Sequence, residues 1–287
     1  MLRIGIADYY LDNWHANEYP GFLRRAIADW GFDARITQAY GMVDAPNGVT
    51  SADWCARRNI RLAAGMEALV AEVDAILVIA ADDARFHENV CPLPLASGKP
   101  VFVDKTFAHD LATAKRMFNL AASSGTPVFS ASAQRFCTDI QTYVATRTAP
   151  TRFMSTVGPH SLDNYGVHQF EPIVTVMGVG VQRMKAFAVG SAVTLLILDY
   201  GDGRMASFTL SPQPWAEFNF MVSDGETGQR LHSTDTEYYP ALMKAILDFF
   251  IHGMEPVRKE ETLEILSLIE TARIARMSPD AWIPLIR

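Results

Sequence analysis

The sequence predicts an α/β protein of two domains, a doubly wound parallel sheet followed by an α+β domain with a mainly antiparallel sheet. Up to about residue 130, buried strand-like runs alternate with stretches of helical periodicity, which is typical of a parallel sheet with right-handed crossovers. After about residue 150, strand-like runs follow one another with no helix between them, which favours antiparallel pairing. The 287 residues suffice for roughly two domains, which we place at residues 1–130 and 131–287.

Apolar runs predict the strands of the first domain, and the unbroken run at 73–80 suits a sheet that is covered on both faces. These strands are expected at residues 2–6, 32–38, 73–80, 99–103 and 126–130. Helical spacing of apolar side chains predicts helices at residues 15–30, 55–70, 87–96 and 110–123. Gly31, Gly98 and Gly125 follow three of these helices, where glycine commonly ends a helix. The succession indicates a Rossmann-type, nucleotide-binding-like domain.

The second domain shows strand-like runs first and helices later. Strands are expected at residues 185–189, 194–199, 205–211 and 217–223. A turn rich in Asp and Gly at 199–203 predicts a hairpin between two of them. Two helices are expected at residues 239–253 and 260–277, so the pattern predicts an α+β domain.

Composition excludes several classes of function. The chain has 25 basic and 32 acidic residues and a net charge of −7, with no basic run, so we expect no nucleic-acid partner. Apolar stretches stay shorter than the ~18 residues of a membrane span, and the first residues show no signal-peptide pattern. Three widely spaced cysteines fit neither a disulfide framework nor a zinc motif. We therefore expect a cytoplasmic protein with no membrane partner.

Ligands of an open parallel sheet bind at the carboxyl ends of its strands. Four loops follow such ends in the predicted first domain, at residues 7–12, 80–87, 104–106 and 131–136. Any small molecule that this domain binds should therefore contact those loops.

Several motifs occur in this chain in the same order as in one protein family. They are the apolar run 73–80, Phe86-His87-Glu88, the segment 96–105, Gln134-Arg135-Phe136 and Gly166-Val167-His168. Together they resemble the glucose–fructose oxidoreductase / inositol dehydrogenase (Gfo/Idh/MocA) family. Asp104-Lys105-Thr106 stands at that family's Glu-Lys-Pro signature, and residues 164–168 stand at its Asp-x-Gly-x-His segment.

The resemblance implies hydride transfer between NAD or NADP and a hydroxyl of a small sugar or polyol. It assigns removal of the hydroxyl proton to His168 and polarisation of the reacting oxygen to Lys105, with Asn164 at the position of the family's catalytic-segment Asp. It implies cofactor contacts from Ala7, Asp8, Tyr9, Tyr10, Ala80, Ala81, His87, Asp104 and Lys105, and substrate contacts from Arg135, Asp163 and Tyr165. It also implies a homo-oligomer formed through the C-terminal sheet.

Three departures from the family concern the cofactor and the catalytic segment. Aligning His15-Ala16 with the family's His-Ala puts Ala7, Tyr9 and Asp12 at the positions of Gly-x-Gly-x-x-Gly. The acid that binds the ribose hydroxyls is missing at residues 37–40. Asn164 and Thr106 replace the family's Asp and Pro. A tyrosine in the loop obstructs the close approach of a pyrophosphate, so our hypothesis is that NAD(P) binding is weakened or lost.

Three alternatives stay open at this point. The chain could be a cofactor-independent lyase, epimerase or isomerase of a keto-sugar, in which Lys105 and His168 serve proton abstraction. It could be a non-catalytic sugar-binding or partner subunit. The aromatic side chains Tyr9, Tyr10 and Trp14 either fill the place of an adenosine diphosphate or stack on a ring of the ligand.

A metal site is the least favoured reading. Its ligands would be Asp8, His15, His87, His160 and His168, but no His-x-x-x-His spacing supports it. We therefore expect no metal.

Overall fold

The structure is a computed structural model that describes residues 1–80, 83–189, 193–213, 217–232 and 238–287. Its strands are β1 (Leu2–Asp8), β2 (Ala34–Gly41), β3 (Arg61–Leu62), β4 (Ala75–Val78), β5 (Val101–Val103), β6 (Val128–Phe129), β7 (Phe153–Pro159), β8 (Arg183–Val189), β9 (Val193–Asp199), β10 (Met205–Ser211), β11 (Asn219–Ser223), β12 (Gly228–His232) and β13 (Trp282–Pro284). Its α-helices are α1 (Trp14–Trp30), α2 (Ser51–Arg58), α3 (Met66–Glu72), α4 (His87–Val90), α5 (Pro92–Leu95), α6 (Leu111–Ser123), α7 (Thr138–Thr146), α8 (Leu162–Tyr165), α9 (Val167–Met177), α10 (Tyr238–His252) and α11 (Lys259–Met277).

The chain forms two compact units. Unit 1 comprises residues 1–131 and 239–259, and unit 2 comprises residues 132–238 and 260–287. The predicted second domain, residues 131–287, therefore includes a segment at 239–259 that packs with unit 1. Among the described residues, no helix is both long and apolar enough to cross a bilayer.

Unit 1 contains the predicted parallel sheet. Its strand order is β3-β2-β1-β4-β5-β6, and every pairing is parallel. β4 is buried along its whole length, as its unbroken apolar run predicted. Phe129 of β6 packs against Phe102 of β5 at 5.1 Å and edge-on against Phe249 of α10 at 4.9 Å. Burial of such rings contributes about 1.5–3 kcal/mol each, which explains why α10 joins this unit.

Two predicted helices of unit 1 are broken in the structure. The expected helix at 55–70 is replaced by α2, β3 and α3, because Asn59 takes a left-handed conformation with φ 53° and ends α2. The expected helix at 87–96 is two short helices, since Pro92 has no N–H to continue the ladder after α4. Gly31 ends α1 with φ 69°, as predicted.

Unit 2 contains a seven-stranded sheet of order β12-β11-β7-β10-β9-β8-β13 in its described part. Only the β7–β10 pair among the described pairings is parallel, so the predicted mainly antiparallel sheet is confirmed. β7 and α9 were not predicted from the sequence. The inner face is buried and packs on α9, where the rings of Phe170 and Phe208 stack at 4.5 Å.

Candidate active site

The loop between β1 and α1 is organised by a buried carboxylate. Asp8 is 1% exposed, and its carboxylate accepts hydrogen bonds from the backbone N–H of Tyr9 at 2.7 Å and of Ala80 at 3.1 Å. The side-chain amide of Asn13 donates a third bond at 2.9 Å. Ala7, just before it, is fully buried within β1. The predicted cofactor residues Asp8 and Ala80 thus meet, but they bond to each other; Ala81, with Asp82, lies outside the described residues.

Aromatic rings occupy the surface of the same loop. Tyr9 stacks on Phe86 with ring centroids 4.0 Å apart and planes 6° from parallel. Tyr10 meets these two rings edge-on at 6.1 and 6.0 Å. Tyr9, which stands at a glycine position of the family motif, therefore fills space beside the loop with its own ring.

The N-terminus of α1 is already capped. The side-chain oxygen of Asn13 accepts the N–H of Ala16, as an N-cap residue does. The carboxylate of Asp12 accepts bonds from the Asn17 amide at 3.0 Å and the Val49 N–H at 2.9 Å. These two bonds lower the pKa of Asp12, so its negative charge persists at neutral pH beside the helix terminus.

These observations do not fit a dinucleotide held in the usual way. A pyrophosphate at a helix N-terminus needs unused N–H groups and a close backbone approach. Here Asn13 caps the helix, Tyr9 covers the loop, and the charges of Asp8 and Asp12 would repel phosphate.

A second buried carboxylate lies where β5 ends. Asp104 is fully buried; the Tyr19 hydroxyl donates to its Oδ1 at 2.9 Å, and Nδ1 of His15 lies 2.6 Å from its Oδ2. Burial opposes ionisation of Asp104, but His15 and Lys105 outweigh it and lower its pKa. Burial and the same carboxylate raise the pKa of Tyr19 far above its usual value. Tyr19 was not predicted as a site residue, although its spacing of four residues from His15 places both on one helix face.

Two other predicted residues lie beside this carboxylate. Lys105 follows Asp104 directly and is half-buried, and its bond to Thr106 is a cis peptide. His87 is fully buried. Its Nε2 lies 2.9 Å from the Ile79 carbonyl oxygen and its Nδ1 lies 3.0 Å from that of Thr106. The ring thus links the loops after β4 and β5, and burial lowers its pKa.

In unit 2, His168 is held by a serine. Its Nδ1 lies 2.7 Å from Oγ of Ser132, which in turn accepts the N–H of Gln134 at 3.2 Å. The ring of Tyr165 lies 5.3 Å from that of His168 and 4.2 Å from that of His160. Of the predicted site residues in this unit, the structure brings His168 and Tyr165 together.

The remaining predicted residues of unit 2 have other partners. Arg135 is 6% exposed and forms ion pairs with Glu171 at 2.6 Å and with Glu261 at 2.8 Å. Asp163 is exposed and is paired with Arg273 at 2.7 Å. Asn164 is exposed on α8. Within the described ranges, no three His, Cys, Asp or Glu side chains come together as a metal site.

Comparison with known proteins agrees with the fold. Three solved structures superpose over nearly the whole chain. One is an oxidoreductase from Agrobacterium radiobacter in complex with NAD⁺, L-tartaric acid and magnesium, with 13% identity, coverage of 99% of this chain and 98% of that chain, and a TM-score of 0.80. The second is a UDP-N-acetylglucosamine 3-dehydrogenase from Acidithiobacillus ferrooxidans, with 13% identity, coverage of 96% and 97%, and a TM-score of 0.78. The third is a dehydrogenase from Bordetella pertussis in complex with NADH and UDP-GlcNAcA, with 16% identity, coverage of 100% and 99%, and a TM-score of 0.77. Identities this low show the shared fold alone. No curated protein matches the sequence.

A family model matches residues 32–132, and its description is an oxidoreductase family with an NAD-binding Rossmann fold, Gfo/Idh/MocA. The match begins after the β1–α1 loop, so it lends no support to that loop as a dinucleotide site. The matched region includes the Asp104-Lys105 signature. It ends just before the Gln134-Arg135-Phe136 motif. Over residues 32–132 the chain thus matches the model of the Gfo/Idh/MocA family of oxidoreductases, the family that its sequence motifs resemble.

Proposed function

We propose that this oxidoreductase acts on a sugar, a polyol or a related small hydroxy or keto compound, and that His168 takes the proton from the reacting hydroxyl. The observation that carries the proposal is the hydrogen bond between Nδ1 of His168 and Oγ of Ser132. Two of the structural neighbours are named for UDP-sugars, which supports this substrate class. Polarisation of the reacting oxygen by Lys105 stays a prediction.

The environment of Ser132 suits this role for His168. Ser132 is fully buried, its Oγ accepts the N–H of Gln134, and its own N–H donates to the Glu171 carboxylate. A serine fixed on both sides holds one ring nitrogen of His168, so the plane of the ring is fixed. An imidazole held in one orientation is suited to general acid–base catalysis.

A panel of polyols and sugars, including myo-inositol and UDP-N-acetylglucosamine, tests this proposal. With NAD⁺ or NADP⁺ present, the unaltered chain should consume at least one compound, and His168→Asn should lower kcat by about 10²-fold or more. His252→Asn, at an exposed position in unit 1, is the matched control and should retain activity. A panel with no turnover, or full activity in His168→Asn, contradicts the proposal.

We further propose that the altered loop weakens the usual binding of NAD and NADP, so that the oxidoreductase assay needs a large excess of cofactor. Complete loss of binding would leave only the cofactor-independent candidate described below. The capped N-terminus of α1, the Tyr9–Phe86 stack and the two carboxylates of the loop support this. Isothermal titration with NAD⁺, NADH, NADP⁺ and NADPH measures it directly. Micromolar binding of any of the four refutes weak binding.

The occupied loop also favours a second candidate function, a cofactor-independent lyase, epimerase or isomerase of a keto-sugar. In that reaction His168 would take a carbon-bound proton and Lys105 would hold the enolate oxygen. Conversion of a keto-sugar in cofactor-free buffer supports this candidate, whereas a change at the nicotinamide absorbance band supports the oxidoreductase. If Lys105→Ala and His168→Ala both leave every detectable activity intact, the catalytic assignment is wrong, and a non-catalytic sugar-binding subunit is favoured.

Self-association through the sheet of unit 2 is part of the proposal. The register of the strands from β8 to β11 places five exposed apolar side chains on the same outer face of the sheet, namely Val157, Phe187, Val189, Met205 and Met221. Exposed apolar side chains that share one face are a feature of many protein interfaces. Light scattering should show an oligomer that Val157→Asp dissociates, and a monomeric parent chain contradicts this.

Cys55, Cys91 and Cys137 are free and buried, which supports a cytoplasmic location.

A further inference from the structure

In the His15–Asp104–Tyr19 cluster of unit 1, one carboxylate accepts a hydrogen bond from Tyr19 and makes a close ion-pair contact with His15, and the proposed function does not use this cluster. It lies at the carboxyl edge of the parallel sheet, since Asp104 follows β5 and His15 is in the first turn of α1. This edge is where sheets of this architecture bind ligands. The cluster therefore combines a buried charge with a ligand-binding position.

The carboxylate determines which nitrogen of His15 carries a proton. Both oxygens of Asp104 are acceptors, and the Tyr19 hydroxyl donates to Oδ1. A lone pair on Nδ1 of His15 would be repelled by Oδ2 at 2.6 Å, so Nδ1 holds the proton. In the neutral ring, Nε2 is then the acceptor.

The geometry leaves Nε2 available. Nδ1 is buried, whereas the His15 side chain as a whole is 12% exposed, so its exposed area belongs to the rest of the ring. No residue in the described part of the chain hydrogen-bonds to Nε2. The imidazole is therefore held at Nδ1 by Asp104, and a small part of the rest of the ring is exposed.

An aromatic surface adjoins this part of the ring. Trp14 is 50% exposed, and its ring centroid lies 5.1 Å from that of His15 and 5.5 Å from that of Tyr239. An exposed tryptophan offers a flat apolar face with one polar N–H. A hydroxylated ring that lies on such a face keeps its hydroxyl groups at its edge, where the imidazole stands.

We propose that Trp14 and His15 form a substrate subsite for a hydroxylated ring, in which His15 exchanges a proton with a ring hydroxyl through Nε2 and Asp104 and Tyr19 are its positioning residues. In the forward direction the O–H bond breaks, an Nε2–H bond forms, and the electron pair remains on oxygen. The negative charge of the Asp104 carboxylate stabilises the positive imidazolium, as in other carboxylate–histidine pairs. The substrate class in this proposal rests on the proposed function. The protonation of His15 at Nδ1 does not depend on it.

The first test needs no substrate. In the full chain labelled with ¹⁵N-histidine, long-range ¹H–¹⁵N spectra report which ring nitrogen of each neutral histidine is protonated, and His15→Gln assigns the His15 signal. We expect the Nδ1–H form, with the preference lost in Asp104→Asn and reduced in Tyr19→Phe, which keeps the ring and its packing. An Nε2–H form in the unaltered chain overturns the proposal, whatever the substrate is.

The second test uses ligand and turnover. Adding myo-inositol should shift the Trp14 indole and His15 ring signals together, and kcat for the active compound of the panel should fall at least 100-fold in His15→Gln. His109→Gln, which removes a His–carboxylate contact at Asp110 elsewhere in unit 1, is the control and should keep its activity. An unchanged kcat in His15→Gln overturns the role of His15. Failure of the whole panel contradicts the proposed function, and the tautomer measurement then decides on His15 alone.

Discussion

Replacing Arg135 by Met should destabilise the chain strongly because two carboxylates depend on it. The side chains of Arg135, Glu171 and Glu261 are only 7%, 3% and 13% exposed. Methionine keeps the volume but removes the cation, so the buried Glu171 and the largely buried Glu261 both lose its charge. Breaking a buried ion pair in this way costs about 3–5 kcal/mol of unfolding free energy.

The loss should depend on pH. Burial already raises the pKa of Glu171 above its usual value, against the opposing effect of Arg135. A carboxyl with a raised folded-state pKa contributes stability at low pH and loses it as the pH rises through that pKa. Without Arg135 the pKa rises further, so Arg135→Met should lose more stability at pH 8 than at pH 5.

Urea unfolding at both pH values, followed by circular dichroism, measures these losses. Arg273→Met is the matched control, because it breaks an ion pair with Asp163 whose side chains are 40% and 61% exposed. An exposed pair of this kind contributes about 1 kcal/mol or less. A loss below about 1 kcal/mol in Arg135→Met at neutral pH, or an equal loss at pH 5 and pH 8, would refute the reasoning.

Three further changes probe other parts of the molecule by thermal or urea unfolding. Asn13→Ala removes the cap of α1 and one bond to Asp8 and should cost about 1–2 kcal/mol; a loss near zero would show that the cap is not used. Phe102→Ala, at a fully buried position, should cost about 3–5 kcal/mol, and a loss under 1 kcal/mol would contradict the packing of β5. Arg3 lowers the pKa of Asp74 to about 2, so this exposed pair adds at most about 1 kcal/mol that disappears as the pH falls from about 4 toward 2; Asp74→Asn should flatten that dependence.

The fold could be predicted where local pattern determines structure. Alternating apolar runs and helical periodicity indicated the parallel sheet, and the hairpin turn indicated antiparallel pairing. The packing of α10 in unit 1 depends on the contact between Phe249 and Phe129, two residues far apart in sequence, so no local pattern signals it. The break at Asn59 depends on one left-handed residue, and β7 is a strand whose alternation is interrupted by small and polar residues.

The site was predicted in part for a similar reason. The expectation that ligands bind at the carboxyl ends of parallel strands pointed to the loop at Asp8 and to Asp104, and loss of the loop glycines was visible in the sequence. The partners of a side chain were not visible. Arg135 reads as a substrate residue in a motif but is paired inside unit 2, and Tyr19 reads as an ordinary helix residue although it bonds to Asp104.

The central claim is that the β1–α1 loop is filled by its own side chains and does not receive a dinucleotide in the usual way. A crystal structure of the chain soaked with NAD⁺ tests this most directly. We predict that Tyr9 remains stacked on Phe86, that Asn13 remains the cap of α1, and that no pyrophosphate lies on this helix terminus. A pyrophosphate bound to the N–H groups at the start of α1, with Tyr9 displaced from Phe86, would contradict the account.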